Sequence, residues 1–146
     1  MTNLTKEELD VIKSTIPLLK ERGVEVTKYF YEYMFENYPQ VKPMFDQNKQ
    51  KSGEQPKALA LAVLNAGLNL EDLSKIQNQV NKIGQKHVSL GVKPEHYPIV
   101  GECLLEAIKV VLGAGQDILD VWGKAYGEIA QYYIGVEKEI YASQEG

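Results

Sequence analysis

Apolar positions recur along this chain at spacings of three and four, which is the signature of α-helices laid against a core. Thr5 to Glu8 forms a Thr-x-x-Glu capping box, and Leu9, Ile12, Ile16 and Leu19 follow it. The spacing predicts a first helix from about Lys6 that ends before Gly23, with a kink at Pro17. Val24, Phe30, Tyr31, Met34 and Phe35 predict a second helix to Asn37, and Tyr29 and Tyr33 share another of its faces. Pro39 and Pro43 then forbid continuation of that helix and hold the chain through Met44 and Phe45 in an extended or turn conformation. Asp46 to Gly53 is polar and is expected to be mobile.

A further helix starts at Glu54 to Pro56, where a first-turn proline loses no intrahelical bond, and it turns Leu59, Val63, Ala66 and Leu70 inward. Leu73, Ile76, Val80, Ile83 and His87 fall on one stripe of a helix, or of two short ones in line, ended by Gly91. Pro94 and Pro98 flank His96 and Tyr97 at the entry to the helix of Val100, Leu104, Ile108 and Val111. The last helix runs from about Gln116 to Tyr141, with Trp122, Ala125, Ile129 and Tyr133 inward. No segment alternates with period two for long enough to make a strand. The prediction is an all-α fold of six to seven helices in one domain, 1–146, with neither repeats nor a dividing linker.

Composition narrows the function. A chain of 146 residues with 44% hydrophobic and 25% charged residues is ordinary for a globular domain. A net charge of -4 argues against nucleic acid or an anionic membrane as the main partner. The polar, acidic amino terminus is unlike a signal peptide, no stretch is apolar enough to span a membrane, and a cytoplasmic location is expected. The single cysteine, Cys103, excludes an internal disulfide, CxxC zinc sites and CxxCH haem attachment, and it reads as an inert core thiol. Any metal must therefore lean on histidine or carboxylate.

Candidate chemistry lies where polar groups interrupt apolar stripes. His87 continues an aliphatic stripe; spacing alone favours a core histidine bonded to a backbone carbonyl over a ligand. Tyr31, Gln55, Tyr97 and Glu137 are each open to a plain reading as well: Tyr31 as an amphipathic core tyrosine, Gln55 as a helix-start residue and Glu137 as one half of a solvated pair with Lys138. His96, between prolines, reads as an exposed helix start. Lys49 to Lys51 and Lys6 to Asp10 read as solvated faces.

Taken in order, Phe30-Tyr31, Pro43-x-Phe45-Asp46, Glu54-Gln55-Pro56-Lys57-Ala58-Leu59, Lys86-His87, His96-Tyr97-Pro98-Ile99-Val100-Gly101, Trp122-x-Lys124-Ala125-Tyr126-Gly127 and Val136-Glu137 resemble the single-domain bacterial haemoglobins of the flavohaemoglobin class. The likeness covers Lys6 to Tyr141. It implies a globin fold around a non-covalent haem b, with His87 as the proximal iron ligand and Phe45 packed on the porphyrin. It also implies Tyr31 as the distal donor to bound dioxygen, Gln55 as a residue adding to or competing with that bond, and Leu59 as a pocket boundary. Tyr97 and Glu137 would support His87 from behind, a peroxidase-like arrangement that makes the imidazole a stronger donor.

The resemblance implies dioxygen and nitric oxide as ligands. One reading is an enzyme that dioxygenates nitric oxide to nitrate; a second is oxygen binding, delivery or sensing without turnover; weak peroxidase activity fits either, and a haem-free helical interaction protein is the third alternative. The sequence carries no GxGxxG fingerprint, unlike the reductase part of flavohaemoglobins, so a separate flavin and NAD(P)H reductase is the expected electron source. A monomer or a homodimer is expected.

Overall fold

A computed structural model describes residues 2–45 and 54–145, with the side chains of residues 54, 55 and 145 outside the description. The expected mobile segment 46–53, and with it Lys49 to Lys51, lies outside the described residues. The described elements are helical: α1 Lys6–Asn37, a 3-10 helix Pro39–Met44, α2 Glu54–Leu68, a 3-10 helix Leu73–Ile76, α3 Gln77–Ser89, a 3-10 helix Pro94–His96, α4 Tyr97–Leu112 and α5 Gln116–Glu145. Among the described residues no helix is long and apolar enough to cross a membrane.

The capping box forms as expected, with the Thr5 hydroxyl accepting from the Glu8 amide and the Glu8 carboxylate accepting from the Thr5 amide. The expected helix end at Gly23 does not occur, because α1 runs on as one helix of 32 residues. Gly23 is buried, and a Cβ there would sit 3.3 Å from the Cβ of Ala60. The glycine serves a close crossing of α1 and α2, so it belongs to packing and not to a terminus. Pro17 also stays inside α1; its ring is on the exposed side, where the carbonyl it leaves without a helix partner can meet water. The stripe ending at His87 is divided as one of the expected alternatives had it, into a 3-10 turn and α3. Gly113, at φ +67, caps α4 in the left-handed conformation.

α1 packs along α2 and α4, α3 lies on α5, and α4 also touches α5. Ile12, Phe30, Met34, Ile108 and Trp122 are among the most deeply buried side chains. Glycine again sets a close approach at Gly67, whose missing Cβ would meet both Ile16 and Trp122 at 3.2 Å. The Trp122 indole N–H donates to the buried Thr15 hydroxyl at 2.9 Å, and Thr15 in turn donates to the Ile12 carbonyl. Thr27 makes a second buried tie, donating to the Pro56 carbonyl at 2.8 Å and pinning the start of α2 to α1. Cys103 is fully buried, and that burial pushes its thiol up to about 11, as an inert core residue requires.

Replacing Thr15 with valine keeps the volume but strands the Trp122 N–H in the core. Chemical denaturation is expected to show a loss of about 1–3 kcal/mol, and an unchanged midpoint would contradict this role for the hydroxyl.

Candidate functional site

The helices leave an apolar cavity of about 300 Å³ between α2 and α3, closed below by α1, α4 and α5. One wall carries Leu59, Val63 and Ala66 from α2; the opposite wall carries Ile83 and His87 from α3. Tyr31 and Phe45 line the cavity as well, and Trp122 lies at its floor. Among the described residues there is no group of three or more His, Cys, Asp or Glu side chains able to hold a metal ion. Two imidazoles line this cavity, His96 at the turn after Lys93 and His87 on α3.

The His87 imidazole is held from behind. His87 Nδ1 lies 2.7 Å from Glu137 Oε2, and the Tyr97 hydroxyl donates to both oxygens of the same carboxylate, at 2.8 and 2.7 Å. Glu137 is only 3% exposed, so a solvated pair with Lys138 is excluded. Burial, and then the bond to Glu137, hold the Tyr97 phenol far above its usual range; it remains a donor. A carboxylate can only accept, so Nδ1 carries the hydrogen, and in the neutral imidazole the lone pair then lies on Nε2. An apolar cavity with one carboxylate-supported imidazole on its wall fits a largely apolar group whose metal that imidazole could bind.

Local sequence places these groups. Gly84, one turn before His87, faces Glu137, Val136 and Ile140, and a Cβ there would meet them at 3.4–3.6 Å; a larger side chain would hold α3 away from the carboxylate. Tyr97 is fixed through its own carbonyl, which accepts from the Tyr126 hydroxyl at 2.8 Å. The Tyr126 ring lies so close to Gly101 that a Cβ would fall 2.8 Å from it. Gly84 did not stand out in the sequence, and Gly101 entered only as the last residue of the motif that begins at His96; helical spacing from a candidate site residue is the signal that could have found their packing role.

On the other side, Tyr31 is 5% exposed and its ring is set by edge contacts with Phe30 at 4.9 Å and Phe45 at 5.4 Å. Tyr29 and Tyr33 stack on each other at 6.2 Å and do not line the cavity. Gln55 belongs to α2, but its side chain lies outside the described residues. His96 departs from the expected exposed position: it is half-buried on the cavity lining, with Nδ1 accepting the Lys93 backbone N–H at 2.9 Å.

Comparison with known proteins bears on the fold that carries this cavity. A family model described as Globin matches residues 28–133. A flavohemoprotein of Bacillus thuringiensis subsp. konkukian is 48% identical over 146 residues, covering 98% of this chain and 36% of that protein. The chain thus spans about a third of the length of the curated relatives it matches. A solved bacterial globin from Campylobacter jejuni superposes with a TM-score of 0.93 at 51% identity, over 94% of this chain and 99% of that one. A flavohemoglobin from Malassezia yamatoensis, solved with bound FAD and heme, superposes with a TM-score of 0.83 at 29% identity, over 95% of this chain and 38% of that one.

Gly101→Ala is expected to displace the Tyr126 ring and loosen Tyr97, costing about 1–3 kcal/mol in an unfolding titration; wild-type stability would show that the ring yields freely. The family model spans the helices that build the cavity, the solved globin superposes on nearly the whole chain, and this chain belongs to the globin family.

Proposed function

We propose that this chain binds haem b through His87 and, with electrons from a separate flavin reductase using NAD(P)H, converts nitric oxide and dioxygen to nitrate. The overall change is NO + O2 + e⁻ → NO3⁻. The observation that carries the reading is the buried carboxylate behind the imidazole: Glu137 bonded to His87 Nδ1 and to the Tyr97 hydroxyl. Storing a gas needs only an axial donor; a carboxylate in contact with that donor favours electron transfer toward the ligand. The likeness to flavohemoproteins, and to a flavohemoglobin solved with FAD and heme, supports both the cofactor and a flavin partner.

A bound haem supplies an iron that takes up diatomic gases and exchanges electrons with them. The chain's own residues do the rest. His87 would hold the iron through Nε2, with its Nδ1 turned to Glu137. Glu137 holds the Nδ1 proton and draws it toward itself, raising the basicity of the ring. Tyr97 neutralises part of the carboxylate's hydrogen-bonding demand without giving up its proton. Tyr31, held by its aromatic neighbours on the cavity lining, is assigned the donor that would stabilise negative charge on a gas ligand. Gln55, in the first turn of α2, is given the role that the resemblance implies, adding to or competing with the Tyr31 bond. Leu59 and Phe45 exclude water and limit the ligand to a small size.

The test is aerobic nitric oxide consumption by the haem-loaded protein with NADH and a lysate of the host lacking this protein, with the Soret band followed throughout. Sustained consumption with the oxygenated spectrum maintained is expected. One turnover ending in ferric haem would overturn the dioxygenase reading and leave oxygen binding, delivery or sensing. Tyr31→Phe should speed dioxygen dissociation by about tenfold or more, and an unchanged rate would remove Tyr31 from the distal role. Glu137→Gln should retain the Soret band while turnover falls by about 10- to 100-fold.

A further inference from the structure

The two walls of the cavity are built on different supports, α2 on α1 and α3 on α5. Among the described residues, one side-chain hydrogen bond crosses directly between them. Asn65 Nδ2 on α2 donates to Gln79 Oε1 on α3 at 3.0 Å. The same Gln79 amide uses its other end on a third helix, donating through Nε2 to the Tyr133 hydroxyl on α5 at 3.3 Å. Tyr133 lines the cavity, and its ring lies 6.3 Å from the His87 ring at a tilt of 38°. One half-buried amide therefore joins α2, α3 and the aromatic ring beside the candidate iron ligand, and neither the sequence motifs nor the likeness to flavohemoproteins singled it out.

An amide suits this place because it has a donor and an acceptor a fixed distance apart. Its carbonyl is satisfied by Asn65, which directs its NH2 group to Tyr133. Residues that only pack could not set a distance across a gap that has to stay open for a ligand. We propose that Gln79 is a positioning residue, a spacer that fixes the separation of α2 and α3 and, through Tyr133, the setting of the His87 ring in the cavity. The proposal rests on the haem reading above, since it concerns the fit of a flat group between the two walls.

Three variants separate this role from mere bulk. Gln79→Met keeps the shape and removes both bonds; Tyr133→Phe keeps the ring and removes one. Gln79→Glu can still accept from Asn65 and from a Tyr133 hydroxyl turned to donate, so it preserves the bridge. Two quantities are measured on the haem-loaded proteins: the rate of haem transfer to an excess of an apoglobin acceptor, and the iron–histidine stretching band of the ferrous protein by resonance Raman spectroscopy. Gln79→Met is expected to lose haem roughly five- to tenfold faster and to broaden the band. Tyr133→Phe should do part of the same, and the double variant should be no worse than Gln79→Met alone. Gln79→Glu should return both readouts toward wild type. A haem-loaded Gln79→Met protein with wild-type haem loss and band shape would overturn the spacer alone, as would fully additive effects in the double variant. A wild-type protein with no Soret band after haem titration would overturn the haem reading and the spacer with it.

Discussion

A carboxylate that is 3% exposed has to be satisfied by the protein, and much of this molecule is arranged around meeting that condition for Glu137. Leaving it bare would cost several kcal/mol, so its two partners are as constrained as it is. His87 has to come close, and Gly84 lets α3 settle on α5. Tyr97 has to stay in place, and the Tyr126 hydroxyl holds its backbone from the far side. Gly101 makes room for that ring. The chain of cause runs from a glycine through two tyrosines and a glutamate to one imidazole nitrogen.

The two sides of the cavity are held by different physics. Behind His87 the side chains are locked by charge-assisted hydrogen bonds, which fix direction as well as distance. Around Tyr31 the restraint is aromatic packing, through Phe30, Phe35 and Phe45. The first side would set the electronic character of a bound metal, and the second would meet exchangeable ligands.

The helices were legible because their apolar positions repeat at helical spacing and their caps are local: Thr5 with Glu8, Pro56 in a first turn, Gly113 after a last turn. Gly23 was misread as a helix end for a physical reason. A glycine that permits two helices to cross looks the same in sequence as one that ends a helix, and only the distance to Ala60 separates the two. His87, Tyr97 and Glu137 were visible as polar groups in apolar stripes, but their meeting depends on contacts spanning up to fifty positions of chain. Spacing alone favoured a core histidine; the ordered set of motifs suggested otherwise. His96 was misplaced because flanking prolines predict a turn and say nothing about how the turn is oriented. Gln79 carried no signal at all, since a glutamine on a polar helix face is unremarkable until its two partners are known.

The Trp122 indole, tied to Thr15 and lying at the cavity floor, is the chain's sole tryptophan. Any strongly absorbing group that entered the cavity would sit within energy-transfer range of it. The protein thus carries an intrinsic optical gauge of occupancy: its ultraviolet emission would dim as the cavity fills and recover as it empties, with no label attached and no surface residue altered.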